Sequence, residues 1–212
     1  LGFTVAEKTM MLMRDIVTSG ELSALAPDRV WRETERALEE KTPRTYFSLL
    51  RTLRADNIVL PFVVTDNSLD ALDSVASLAP TSLHRWAGIT SSAATTEQAI
   101  TPALNIPKRY NQLAERVQLY LGSPPQTPED MLVFLEHFDA FRQGSQLADG
   151  LLVLGAIDAA FHKRQVARIE RGNQLVASIR GEQFNEQGLK GPEIKEAISA
   201  ARLRQLDALL ND

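Results

Sequence analysis

The chain has 212 residues, enough for one sizeable domain or two small ones. Hydrophobic residues make up 44% and charged residues 24%, with a formal net charge of -4, the balance of an ordinary globular protein. No apolar run approaches the roughly 18 residues that cross a membrane, no secretory pattern opens the chain, and the lack of cysteine excludes disulfides and thiolate metal sites and fits a reducing cytoplasm.

The predicted elements are almost all helical. Thr4 and Glu7 have the spacing of a capping box, and Val5, Met13, Ile16 and Val17 fall on one face of the helix that Gly20 closes. Pro27 opens a second helix, where its missing N–H costs nothing. There Val30, Thr34, Ala37 and Leu38 keep an apolar stripe beside Trp31, a residue type more often core than a stacking platform. Arg29, Glu33, Arg36 and Glu40 recur on a polar face, a set of i,i+4 surface pairs. Thr42-Pro43 starts a short helix carrying Phe47, Leu50 and Leu53. The run from Ile58 to Val64 is strand-like, but Pro61 interrupts it and makes it a buried turn.

Further helices are predicted over 68–78, 82–89, 107–121 and 128–141, the last opened by the cap Thr127 and the acids Glu129 and Asp130. An apolar run over 151–160 leads into a basic stretch, Gly188 to Gly191 turn the chain, and Pro192 opens a final helix with Ile194, Ala197, Ile198 and Ala201 inward. This pattern predicts an all-α fold, an elongated array of small helical bundles. Charge changes along it. Residues 121–160 hold Glu129, Asp130, Glu136, Asp139, Asp149 and Asp158 against Arg142 alone. The stretch that follows holds Lys163, Arg164, Arg168, Arg171, Arg180, Lys190, Lys195, Arg202 and Arg204, a basic third able to meet phosphate.

No catalytic constellation is visible. The chain lacks a Gly-rich phosphate loop, a His-Glu-x-x-His and a Gly-x-Ser-x-Gly, and its histidines, His84, His137 and His162, stand far apart. The residues by themselves describe a helical domain without visible catalysis.

Four stretches carry a family resemblance. LGFTVAEKTMMLM at the start resembles the segment after the nucleotide-recognition motif of bacterial class II tRNA nucleotidyltransferases, the CCA-adding enzymes. APDRVWRETERAL, residues 26–38, is similar to that family's neck motif, LHRWAGIT, residues 83–90, to its approach to an HD phosphohydrolase motif, and GLKGPEIKEAI, residues 188–198, to its tail signature. The resemblance implies a neck over 1–62, a body with a degenerate HD-like helical region over 63–143, and a basic tail over 144–212.

It also implies two losses. The family's catalytic head, with its Gly-Ser pair, Asp-x-Asp and Glu-Asp-x-x-Arg, lies outside this sequence, so no catalytic residue is expected in it and Leu1 is expected to mark a truncation or cleavage boundary. The HD pair is replaced by Ser91 and Ser92, poor ligands beside imidazole and carboxylate, so no metal is expected in the body. Carried over from the family, Arg29 and Glu33 brace the nucleotide-selecting region of the head. Lys163, Arg164, Arg168, Arg171 and Lys190 become the hold on tRNA along its acceptor stem and TΨC region, by phosphate and 2′-hydroxyl contacts. Backbone N–H groups beside Lys190 are expected to add to an anion site. The implied parent extends tRNA 3′ ends with CTP, ATP and Mg2+, in the cytoplasm, while this piece alone is inert and binds no cofactor. The C-terminal region of a poly(A) polymerase and a non-catalytic helical adaptor are the alternatives.

Overall fold

A computed structural model describes residues 5–78, 81–93, 104–142, 146–186 and 188–211. Those residues form helices and turns, with no β-strand among them, as the sequence pattern predicts. They cluster into two compact units, Leu1–Gln118 and Leu119–Asp212. The boundaries expected at 62/63 and 143/144 each fall inside one of these units.

In the first unit, α1 (Glu7–Ser19) ends on Gly20, whose φ of 81° closes the helix in the left-handed region. The expected capping box is not the start of this helix: Ala6 is its N-cap, without a side-chain bond, and Thr4 lies outside the described residues. α1 packs on the 3₁₀ turn Glu21–Ala24 and buries none of its residues. Met11 and Leu12 are 59% and 60% exposed, and Ile16 and Val5 are exposed too.

α2 (Pro27–Glu39) starts with Pro27 at its first position and buries Val30, Trp31, Thr34 and Leu38. Glu40 is its C-cap, beyond the polar face expected for it, and Glu33 pairs with Arg36 at i,i+3, 3.5 Å, rather than at i,i+4. α3 (Arg44–Thr52) buries Phe47, and α4 (Asp56–Val59) leads into the turn at Pro61. Leu60, Phe62 and Val64 are buried around that turn, as read from the sequence. The buried Asp56 carboxylate closes it by accepting from Val64 N at 2.9 Å.

α5 (Asp66–Leu78) and α6 (Ser82–Ser91) pack closely because Gly88 has no side chain: a Cβ there would stand 2.7 Å from Val75 Cγ2. α7 (Lys108–Tyr120) brings Tyr110 to the core. Trp31 is enclosed edge-on between Trp86 and Tyr110, with ring centroids 5.1 and 4.9 Å away. It is core, as expected, and unable to stack on a base.

In the second unit, Thr127 caps α8 (Pro128–His137) with a reciprocal box. Asp130 N donates to Thr127 Oγ1 and Thr127 N to Asp130 Oδ2, both at 3.1 Å. α8 stops at His137 rather than 141, because Asp139 takes a φ of 51° and turns the chain. α9 (Leu147–Ile157) is the apolar run, and Asp158 caps a 3₁₀ turn, Ala159–Phe161, while also accepting from Gly122 N. α10 (Lys163–Val176) buries Gln165, Ile169, Gly172 and Val176. Its Gln165 donates to Pro125 O at 2.9 Å, and Gly172 lets Leu206 of α12 (Pro192–Asn211) come close. The short α11 (Glu182–Asn185) precedes the turn at Gly188 and Gly191.

Candidate nucleic-acid interface

On α2, the residues that bury Trp31 leave Arg29 and Glu33 exposed on the opposite side. Both border a small apolar hollow of about 180 Å³, formed with Leu22, Leu25, Val30, Tyr46, Leu50 and Val59. Arg29 and Glu33 thus flank an apolar surface.

On α10, Arg164, Arg168 and Arg171 occupy one flank beside the buried stripe, with Arg164 and Arg171 exposed and Arg168 half-buried. Exposed Leu175 continues this row by one turn. Lys163 is also exposed but lies about 100° round the helix from Arg164, so it does not join the row. The first turn of α10 carries Lys163, Arg164 and no acid, and its N-cap is His162, whose Nδ1 accepts from Gln165 N at 3.3 Å. Cations at the positive end of a helix dipole oppose the helix and favour an approaching anion.

Lys190 stands apart from that row in the sequence, in the turn before α12. Its own N–H donates to Glu193 Oε2 at 3.2 Å. That N–H is one of the backbone groups expected to add to an anion site. The C-terminal region is also less basic than its list of cations suggests: residues 161–212 hold nine Lys and Arg against seven Asp and Glu. What is basic is the flank of α10.

Ser91 is buried in the last turn of α6, where its Oγ donates to Gly88 O at 3.2 Å, and Ser92 O accepts from Thr65 Oγ1. His84 Nδ1 is shared with Thr81 Oγ1 on the first turn of the same helix. Among the described residues, no three His, Asp or Glu side chains converge as metal ligands.

Two arginines have contacts that the sequence does not announce. Arg85 is buried and donates to Leu38 O and Glu40 O, capping the C-terminal end of α2. Arg202, on α12, lies over the ring of Phe141, 3.6 Å from its centroid. No pattern in the sequence pairs residues 61 positions apart.

Residues 2–66 match the family described as "Probable RNA and SrmB- binding site of polymerase A". Over its whole length the chain is 28% identical to a CCA-adding enzyme of Marinobacter nauticus, covering 60% of that protein. It is 30% identical to a CCA-adding enzyme of Alteromonas mediterranea, with 96% of the chain and 61% of the relative covered. It is 31% identical to a multifunctional CCA protein of Pseudomonas putida, with 98% and 59% covered. No solved structure matches the chain. The chain therefore spans about 60% of the length of these curated relatives, and its similarity to this part of the CCA-adding enzymes runs from one end of the chain to the other.

Proposed function

We propose that this chain is the tRNA-holding region of a CCA-adding enzyme, the C-terminal neck, body and tail to a catalytic head. The observation that carries the reading is the whole-length similarity to CCA-adding enzymes, together with the RNA-binding description of the family matched by residues 2–66. The arginine flank of α10, Arg164, Arg168 and Arg171, supports it as a phosphate-facing surface, with Lys163 and Lys190 as outlying contacts. Arg29 and Glu33 brace the head at the apolar hollow on α2. The exposed apolar residues of α1 and this hollow suit burial under further chain. CTP, ATP and Mg2+ belong to the head, so the 212 residues alone incorporate no nucleotide. The setting is cytoplasmic; no described helix is long and apolar enough to cross a membrane.

Gel-shift titration with a tRNA transcript ending before CCA tests the binding. Replacing Arg164, Arg168 and Arg171 together by Ala weakens it and lowers the salt slope by about three, one for each phosphate contact. Unchanged affinity and slope refute the assignment. A poly(A) polymerase parent is the second reading, favoured by the polymerase description over residues 2–66. Supplying CTP and ATP separately to the full-length protein decides: ordered CC then A on tRNA, or A-tailing of any 3′ end.

A further inference from the structure

The second unit holds an open hollow of about 420 Å³ away from the arginine flank of α10, within the range of small-ligand sites. It is lined by Glu136 at the end of α8, by Asp139, Phe141 and Arg142 in the turn after it, and by Lys195 and Arg202 of α12. The left-handed backbone at Asp139 turns the chain and sends Phe141 back against α12. The Arg202 guanidinium is held twice, by the Phe141 ring beneath it and by Nη2 donating to Ile179 O at 3.0 Å. Its Nε is enclosed without an acceptor, and burial pushes its pKa down, partly offset by Glu136. An arginine kept half-buried at this cost presents a fixed, flat, cationic plane.

We propose that this hollow seats one unstacked nucleotide of an RNA chain, its base lying against the Arg202–Phe141 pair and its phosphate near Lys195 and Arg142. The inference deepens the tRNA-holding role and rests on that reading for the identity of the RNA. The lining decides between ligands. Three cations favour an anion, but two carboxylates, Glu136 and Asp139, repel a bare phosphate or an acidic peptide. A nucleotide answers both signs. Its base edge donates N–H groups to carboxylates, its phosphate accepts from lysine and arginine, and its face stacks on a guanidinium.

Lys195→Gln and Glu136→Gln test it, because both residues are exposed and either variant keeps the fold, as a melting curve verifies. For the 212-residue chain, each of AMP, GMP, CMP and UMP is titrated while the amide resonances of Phe141, Arg142 and Lys195 are followed. The proposal expects at least one monophosphate to move them. It also expects both variants to weaken binding of a tRNA transcript, by about tenfold for a lost base contact. Glu136→Gln is the discriminating change: tighter binding on losing that charge means a plain phosphate contact and overturns the proposal. So does silence of these resonances to all four monophosphates, or their displacement by an oligoglutamate peptide. If the unaltered chain fails to bind tRNA while monophosphates still move these resonances, the tRNA-holding reading falls and the nucleotide site stands. If tRNA binds and neither variant weakens it, the reverse holds.

Discussion

Arg85 is 7% exposed and carries a charge into the first unit, where its Nη1 reaches Leu38 O and Glu40 O at the last turn of α2. Those carbonyls have no partner within their own helix, and a cation there also meets the negative end of its dipole. Arg85→Ala strands buried carbonyls and opens a cavity, so we expect a loss of about 2–4 kcal/mol in urea unfolding. A loss below about 0.5 kcal/mol would show that water replaces the guanidinium. The exposed pair Arg36 and Glu33 is the contrast, since a solvent-screened bridge contributes little. Neighbours in sequence meet opposite fates as well: Trp31 enters the aromatic core, whereas Arg29 and Glu33 stay at the surface.

Helix α9 sets two glycines against each other. Alanine is the better helix former by about 1 kcal/mol, which would favour replacing either one. At Gly150 a methyl is driven into the ring of the fully buried Phe138, which cannot yield. At Gly155 the nearest atoms stand 3.6 Å off, an ordinary contact. Gly150→Ala is therefore expected to destabilise by about 1–3 kcal/mol, and Gly155→Ala to be neutral or stabilising; thermal melts should fall for the first variant and hold or rise for the second. The capping box of α8 is simpler. Thr127→Ala removes the hydroxyl that accepts from Asp130 N, with an expected cost of about 1 kcal/mol in urea unfolding. Asp130 contributes from the other side: hydrogen bonds, first from the Thr127 N–H, hold its carboxyl below the usual range. A depressed carboxyl stabilises the fold above its unfolded pKa, and that contribution is lost as pH falls through the folded value.

Across the whole molecule all three tyrosines titrate late. Burial raises Tyr46, raises Tyr110 with help from its bond to Glu35, and pushes Tyr120 up to about 12 with help from the charge of Asp130. The unfolded chain then loses these protons first, near the ordinary value of 10.0. Stability is intact below that pH and falls as pH rises from it through the folded values. Phenolate absorbance should rise at higher pH in the native chain than in the urea-unfolded one, in both units, since Tyr46 and Tyr110 lie in the first and Tyr120 in the second. Coincident titration curves would mean that the phenols are solvated.

The sequence by itself determined the helical class, most helix starts and the core side of α2, because each follows from a local period or a local cap: Pro27, Thr127 and Pro192 need only their neighbours. It also carried the resemblance to CCA-adding enzymes, through four separated motifs. Where it erred over the end of α8, one backbone conformation decided. A helical pattern continues to 141, but Asp139, with a φ of 51°, turns the chain. Beside Lys190, the residue's own N–H is taken by the Glu193 carboxylate. Only the tertiary structure placed Arg85 on the end of α2, Phe138 against Gly150, and Arg202 over Phe141. Such contacts join residues 12 or more positions apart, and they form when packing rather than backbone propensity chooses what each side chain meets.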